Sequence, residues 1–177
     1  GQGVTETKNE TVVVPLSLES SRVDVSLALD HRQKGLLWYS TYKVDFAGVY
    51  TFRNPSDRQQ EVTFRLDFPA SRAIYDDLVF TVNGAPVALQ SGQQPADAKM
   101  GGTAGASGLA VVGAGQAAAL RVSYRSQGLG EWRYGFGSDV TQVRDFVLRM
   151  KTDFREIDFP ENALSPSEKR ETDEGWE

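Results

Sequence analysis

The sequence predicts an all-β domain, an antiparallel two-sheet β-sandwich of about 8–10 strands with one long Gly/Ala-rich loop. Three observations support this fold class. Apolar and polar residues alternate with a period of two in many short segments, turn-forming residues separate these segments, and no segment sustains an apolar stripe at helical spacing. The length of 177 residues and the hydrophobic content of 40% fit a single domain over residues 1–177.

The strands before residue 54 follow from this alternation. Residues 12–18 and 23–29 predict two strands, and Pro15 favours an edge position for the first, because proline has no backbone N–H to donate. From residue 36 to residue 52 the even positions are mostly apolar and face the core. This run is long for one strand, so we expect a bend or bulge at Ala47-Gly48.

The middle of the chain predicts two hairpins. Asn54-Pro55-Ser56-Asp57 is a turn by composition, and the alternating residues 62–68 should pair with the strand before it. Residues 78–82 lead into Asn83-Gly84, where both positions accept positive φ, and residues 87–89 should return as their partner. Residues 71–77 and 138–144 could each hold one helical turn.

Residues 90–108 contain glycine, proline and small polar residues without periodicity, which predicts a mobile loop. Residues 109–112 and 118–124 predict a further hairpin, with Leu120, Val122 and Tyr124 facing the core. The turn between them, residues 113–118, fits the dinucleotide fingerprint G-x-G-x-x-A. Alternation resumes at Leu120, however, and leaves no room for the helix that a pyrophosphate site requires, so we interpret it as a hairpin turn.

Aromatic residues dominate the segment that follows. Trp132, Tyr134 and Phe136 alternate between glycines and share one parity, which favours packing into the core, with Arg133 on the opposite face free for a partner. Exposed tryptophan and tyrosine are also common anchors for sugars and protein partners. Trp132, Arg133 and Tyr134 are therefore the candidate contact residues. Alternation returns in residues 146–154.

The net charge of −5 is unevenly distributed. The acidic carboxyl-terminal segment, residues 153–177, holds nine acidic and three basic residues, which gives 3 − 9 = −6. The rest of the chain is close to neutral and its basic residues are dispersed, so no nucleic-acid partner is expected. No apolar run approaches the roughly 20 residues that a membrane-spanning helix needs.

The residue types restrict the possible chemistry. The chain has no cysteine and one histidine, His31, so we predict no catalytic residue, no metal site and no cofactor. The nearest acidic clusters are Asp76-Asp77 and Asp24 with Asp30, and we interpret them as solvated loop charge. A hydrolase built on converging carboxylates is the least favoured alternative.

Two stretches resemble known families. The first runs through FRNPS (52–56), VTFRLDFP (62–69), AIYDDLVF (73–80), VNG (82–84) and LRVSY (120–124), and this order of strands and turns resembles vault/inter-alpha-trypsin (VIT)-type β-sandwich domains. The second comprises IDFP (157–160), ALSP (163–166), KR (169–170) and GW (175–176). It resembles the last extracytoplasmic strands of CreD-like bacterial inner-membrane proteins, in which a soluble region lies between membrane segments. Neither resemblance supplies a catalytic residue.

These observations predict a fragment of a longer protein, because Gly1 is not an initiator methionine and Gly175-Trp176-Glu177 look like the start of a further strand. The expected function is a non-catalytic interaction or structural domain on the periplasmic side of a bacterial inner membrane. The parent protein would be membrane-anchored, and the contact would be a protein partner or the rest of its own chain. The alternative is a glycan- or ligand-binding module that uses Trp132 and Tyr134, or Trp38 and Tyr39.

Overall fold

The computed structural model describes residues 16–67, 74–88, 90–91, 105–135, 140–157 and 164–177. These residues form strands, turns and irregular segments, and none of them is helical. The predicted all-β class, with two sheets, is confirmed. The strands are β1 (Leu16–Lys34), β2 (Leu37–Arg53), β3 (Gln60–Asp67), β4 (Ile74–Val82), β5 (Ala85–Pro86), β6 (Gln90–Ser91), β7 (Gly105–Val112), β8 (Ala117–Leu129), β9 (Val140–Val143) and β10 (Phe146–Thr152).

The large sheet has the strand order β10-β1-β2-β8-β4-β5, and β9 also pairs with β1. The pairs along β1-β2-β8-β4-β5 are antiparallel, whereas β9 and β10 both run parallel to β1. The large sheet is therefore mixed, which corrects the expectation of a wholly antiparallel sandwich. The cause is the crossover after β8: a chain that crosses a sheet before it pairs again can arrive in the parallel direction.

The small sheet has the order β3-β7-β6. Consequently two predicted hairpins are wrong: β2 and β3 lie in different sheets, and so do β7 and β8. The turns after β2 and β7 carry the chain from one sheet to the other, and they lie against each other. The Asn54 N–H donates to the Gln116 carbonyl at 2.9 Å, and the Gly115 N–H donates to the Ser56 carbonyl at 3.1 Å.

Two further strand predictions are corrected. The two predicted amino-terminal strands are one strand, β1, from Leu16 onward. The register of β1 with β2 shifts between Leu18 and Ser20. Residues 12–15 lie outside the described residues. In β2 the shift relative to β8 lies between Tyr42 and Val44 rather than at Ala47-Gly48. Gly48 instead makes room for a ring, since a Cβ there would lie 2.8 Å from Tyr50 Cε2.

The predicted turn at Asn83-Gly84 is confirmed, with positive φ at both residues. The strand that returns after this turn is β5, which is shorter and begins earlier than the predicted residues 87–89. Beyond β5, the Val87 N–H donates to the Phe80 carbonyl at 3.0 Å. Residues 74–77 and 140–143 belong to β4 and β9, so these parts of the two helical turns that we considered are strand instead; residues 71–73 and 138–139 lie outside the described residues. The ends of the predicted loop belong to β6 and β7; residues 92–104 lie outside the described residues.

The core of the sandwich is aromatic where the two sheets face each other. The ring centroid of Phe64 in the small sheet lies 5.1 Å from that of Phe52 and 6.4 Å from that of Phe80, both in the large sheet. Leu120 and Val122, predicted to face inward, are buried beside them. Burial of one such side chain stabilises the fold by about 1.5–3 kcal/mol.

The carboxyl-terminal segment, residues 164–177, attaches to the end of β10. The Thr152 N–H donates to the Trp176 carbonyl at 2.9 Å, and the Trp176 N–H donates to Thr152 Oγ1 at 3.0 Å. Lys169 Nζ lies 3.8 Å from the centroid of the Trp176 ring, a cation–π contact. This part of the acidic segment is thus held by specific bonds at the edge of the large sheet.

Candidate functional site

The predicted contact residues Trp132 and Tyr134 lie in an irregular segment, residues 131–135, rather than in a strand. Both side chains are half-buried and point the same way, onto the inner face of the large sheet. Trp132 Nε1 donates to the Tyr124 hydroxyl at 3.4 Å, and the Tyr134 hydroxyl donates to that of Tyr50 at 3.3 Å. The two rings stack with centroids 6.1 Å apart. Phe136, the third aromatic residue of the predicted strand, lies outside the described residues.

Trp132 and Tyr134 form an aromatic cluster with Phe46, Tyr50 and Tyr124 on the inner face of the large sheet. Tyr134 lies 6.2 Å from Phe46 between ring centroids, and Phe46 stacks on Tyr124 at 4.8 Å. Desolvation raises the pKa of Tyr124 to about 12 and also raises the pKa values of Tyr50 and Tyr134. These hydroxyls are therefore neutral hydrogen-bonding groups at physiological pH.

Arg133 extends into solvent on the opposite side of the segment. Its Nη2 lies 3.0 Å from Glu131 Oε2, and both side chains are largely exposed. An exposed ion pair of this kind contributes about 0–1 kcal/mol and breaks easily. Of the three predicted contact residues, Arg133 alone presents most of its side chain to the solvent.

The acidic clusters, which the sequence predicted to be loop charge, lie instead in strands β1 and β4 of the large sheet, and most of their carboxylates face basic side chains. Arg125 lies 3.5 Å from Asp77 and 3.1 Å from Asp45, and Arg149 lies 3.8 Å from Asp24. Asp77 has a positive φ at an irregularity of β4, next to the exposed Asp76. Within the described ranges, no group of three or more His, Cys, Asp or Glu residues could hold a metal ion.

The G-x-G-x-x-A segment forms the turn between β7 and β8, with Gly115 at a φ of 63°. No helix opens at this point, so its interpretation as a turn is confirmed, although the turn connects two sheets rather than two strands of a hairpin. The Gly115 N–H is bonded to Ser56. This turn fixes the loop after β2.

One exposed feature was not predicted: β1 and β2 extend beyond the rest of the large sheet as a two-stranded arm. The last pair between β2 and β8 is Tyr42–Leu129, and the last pair between β1 and β10 is Leu27–Thr152. We define the β1–β2 arm as residues 30–41. Among the described residues, its five residue pairs, Asp30–Thr41 to Lys34–Leu37, have strand partners only in each other. They extend over roughly 17 Å.

The arm ends in an apolar tip. Gly35 has a φ of 64° and allows the chain to reverse in two residues, Gly35 and Leu36. The tip consists of four consecutive residues with high exposure: Leu36 (96%), Leu37 (75%), Trp38 (68%) and Tyr39 (46%). Because side chains alternate along a strand, Leu37 and Tyr39 lie on one face of the arm and Trp38 on the other.

The sequence prediction placed Leu36 and Trp38 in the core, and this is wrong. Their parity matches the buried residues of β2, but neither β8 nor the small sheet extends far enough to cover them. One signal in the sequence pointed to this result. The odd positions Leu37 and Tyr39 are also large and apolar, which does not fit a strand with one solvent-facing side.

Comparison with known proteins gives little further information. The chain matches no protein-family model and no curated protein. One solved structure with weak similarity to this chain is that of a candidate nutrient-binding protein from Legionella pneumophila subsp. pneumophila strain Philadelphia 1. The TM-score is 0.39 at 12% identity, over 64% of this chain and 41% of that protein. This chain therefore resembles that protein weakly and over less than half of its length.

Proposed function

We propose that this chain is a non-catalytic interaction domain on the extracytoplasmic side of a bacterial membrane protein, and that it makes its contact through the β1–β2 arm. The observation that carries this proposal is the exposure of the apolar tip, Leu36 to Tyr39. Single apolar residues are common on protein surfaces, but a contiguous apolar patch typically marks an interaction site.

The remainder of the domain forms a scaffold that positions the arm. The arm continues strands β1 and β2, whose buried residues Val23, Val25 and Val44 lie in the core. At its base, Thr41 Oγ1 donates to the Asp30 carbonyl at 3.1 Å, and Arg32 Nη2 donates to Gln127 Oε1 at 3.4 Å. The arm is therefore joined to the body of the large sheet by its two continuous strands and by the Arg32–Gln127 bond, although the exposed side chains of the tip contact little of the domain.

The membrane context of this proposal comes from sequence resemblance. Residues 157–176 resemble the extracytoplasmic strands of CreD-like proteins, and residues 44–124 resemble VIT-type sandwich domains. The sequence predicts that the contact is made with a protein partner or with the rest of the parent chain, and this stays a prediction. Asp24 and Asp77 each form an ion pair with an arginine, at 3.8 and 3.5 Å, and this arrangement favours a structural role over a pair of catalytic carboxylates.

The location can be tested with single cysteines, because these 177 residues contain none and any cysteine elsewhere in the parent protein can be replaced first. We would introduce Asp57→Cys, at a side chain that is 94% exposed, into the full-length parent protein. A membrane-impermeant maleimide should label it in cells whose outer membrane is permeabilised. Ser21→Cys, at a buried position, is the matched control and should react only after denaturation. Labelling of Asp57→Cys only after lysis of the inner membrane would contradict the proposed location.

The same scheme tests the arm. Leu36→Cys should react slowly in the native cell, because the tip is in contact, and should react as fast as Asp57→Cys in the purified domain. If the two cysteines react equally fast in cells, the arm is not the contact surface and this part of the proposal is wrong.

A glycan- or ligand-binding module is the second candidate, and the exposed rings of Trp38 and Tyr39 favour it over the half-buried Trp132 and Tyr134. Aromatic rings bind sugars by stacking on their apolar faces. Titration of the domain with envelope sugars should then shift or quench tryptophan emission, and Trp38→Phe should abolish the change. Emission that is insensitive to these sugars would argue against this candidate.

A further inference from the structure

We infer that the tip of the β1–β2 arm inserts into the interfacial layer of an anionic phospholipid bilayer. This inference rests on the proposed function, in which the arm is the contact surface, and it names the partner of that surface. Three properties of the arm support it: the distribution of apolar side chains around the tip, their order along the arm, and the local charge.

The tip is apolar on all sides. Leu37 and Tyr39 lie on one face, Trp38 lies on the other, and Leu36 is at the apex. A protein that docks on one face of a two-stranded ribbon leaves the opposite face in water, where large apolar side chains gain nothing from burial. A lipid layer surrounds an inserted tip and removes both faces from water at once.

The order of side chains matches the polarity of a bilayer surface. The apex is leucine, the next residues along β2 are Trp38 and Tyr39, and the following pair is Ser40 with His31. Tryptophan and tyrosine are enriched where hydrocarbon meets headgroups, because their rings are apolar and their N–H or O–H groups can bond to polar partners. Insertion to the typical interfacial depth of about 5–10 Å would immerse the tip and leave the polar pair among the headgroups.

The arm is basic although the chain is acidic. From residue 30 to residue 41 the arm has two basic residues and one acidic residue, which gives 2 − 1 = +1, in a chain of net charge −5. Arg32 and Lys43 share Asp30 at 3.1 and 3.7 Å. Lys34, directly opposite Leu37, has no carboxylate within ion-pair distance among the described residues. Because Lys34 lies beside the apolar tip, an anionic surface attracts the end of the arm that inserts.

The test is sedimentation of the purified 177-residue domain with vesicles. Vesicles of phosphatidylethanolamine and phosphatidylglycerol are the probe, and vesicles of phosphatidylcholine are the neutral comparison. The double variant Leu36→Asp/Trp38→Asp should lower partitioning into anionic vesicles by about tenfold or more, because it removes two inserted apolar side chains and adds repelled charge. Lys34→Glu should lower it as well, and added salt should weaken binding of the unchanged domain.

The matched control is Leu109→Asp/Val111→Asp. These side chains are also exposed, at 49% and 59%, but they lie on β7 in the small sheet. This variant carries the same added charge and the loss of two apolar side chains, and it should keep its affinity for anionic vesicles. Unchanged circular dichroism of both double variants verifies folding, since all four positions are exposed.

A fluorescent probe reports insertion itself. Leu36→Cys carries a single environment-sensitive nitrobenzoxadiazole label, because the chain has no other cysteine. Its emission should increase and shift to the blue with anionic vesicles, whereas the same label on Val111→Cys should not respond.

Four results would overturn the inference: no sedimentation of the unchanged domain, equal sedimentation of the tip variant, equal binding to neutral vesicles, or no response of the label at position 36. If Leu36→Cys is nevertheless protected in cells, the arm contacts a partner other than lipid. The proposed function then stands and only the lipid assignment fails.

Discussion

The side chain of Asn54 joins two loops at one end of the sandwich. It is buried, its Nδ2 donates to the carbonyls of Arg58, Val112 and Gly113 at 2.7, 3.1 and 3.1 Å, and its Oδ1 accepts from the Ser56 N–H at 3.0 Å. It therefore satisfies backbone groups of both turns that cross between the sheets. An asparagine carries the donors and the acceptor that this position requires, whereas aspartate lacks the donors.

We expect Asn54→Ala to lower the free energy of unfolding by about 2–4 kcal/mol, because it leaves buried carbonyl groups without donors. Denaturant unfolding followed by circular dichroism measures this change. Asp57→Ala, in the same loop but exposed, is the control and should change stability by about 0.5 kcal/mol or less. Equal effects of the two substitutions would show that the Asn54 bonds contribute no net stability.

Tyr50, Tyr124 and Tyr134 are hydrogen-bonded within the aromatic cluster, and burial is the largest cause of their raised pKa values. A tyrosine loses its proton near pH 10 in an unfolded chain. When the folded state has the higher pKa, it keeps the proton longer, so the resulting stability is complete below pH 10. It decreases as the pH rises through the folded pKa.

The free energy of unfolding should therefore fall as the pH rises from 10 to about 12, the pKa of Tyr124. Urea unfolding at a series of pH values, with tyrosinate absorbance recorded in parallel, tests this. The slope should become smaller in Tyr124→Phe, which cannot ionise. A stability that stays constant from pH 9 to pH 12 would contradict the burial of these hydroxyls.

At the level of elements, β1 and β2 each have a buried part within the large sheet and an exposed part in the arm. Near Val23 and Val25 the central strands have neighbours on both sides and a buried inner face. Beyond Leu29 and Tyr42 they form an arm that is two strands wide and exposed on most of its surface. An isolated two-stranded hairpin is marginally stable in water, so the arm depends on the sheet from which it extends.

Backbone amides that form cross-strand bonds in the arm should exchange hydrogen faster than those in the body of the same strands. We expect the opening free energy near Gln33 and Trp38 to be lower than that near Val25 and Phe46 by several kcal/mol, because local opening of the arm exposes little buried surface. Hydrogen exchange measured by NMR gives both values in one sample. Equal protection along β2 would mean that the arm opens only with the whole domain.

At the scale of the molecule, the two sheets depend on contacts between a few aromatic rings. Phe64 is the ring of the small sheet that contacts both Phe52 and Phe80. The outer face of the large sheet instead carries paired charges, such as Arg125 between Asp45 and Asp77. Hydrophobic burial between the sheets therefore stabilises the fold, while the exposed ion pairs contribute little.

Phe64→Ala should lower the free energy of unfolding by about 3–5 kcal/mol, because it opens a cavity between the sheets. Val111→Ala, on the exposed side of the same small sheet, is the control and should have an effect of about 0.5 kcal/mol or less. Chemical denaturation of both variants provides the comparison. A small effect of Phe64→Ala would show that the small sheet contributes little to the stability of the domain.

The two candidate sites differ in how much of their structure the sequence predicted. The parity of Trp132 and Tyr134 in the sequence indicated that both rings point one way, and both do lie on the inner face of the large sheet. The exposure of Leu36 and Trp38 did not follow from parity, because their positions match those of buried residues in β2. Their exposure depends on where β8 and the small sheet end.

The sequence by itself determined the all-β class, the turn at Asn83-Gly84 and the inward faces of Leu120 and Val122, because alternation and turn chemistry depend on residues close together in the chain. Only the tertiary structure decided that β2 and β3 lie in different sheets, that β9 and β10 run parallel to β1, and that the arm extends beyond its neighbours. Strand partners, direction and relative length are set by contacts between distant segments. A local pattern therefore does not determine them.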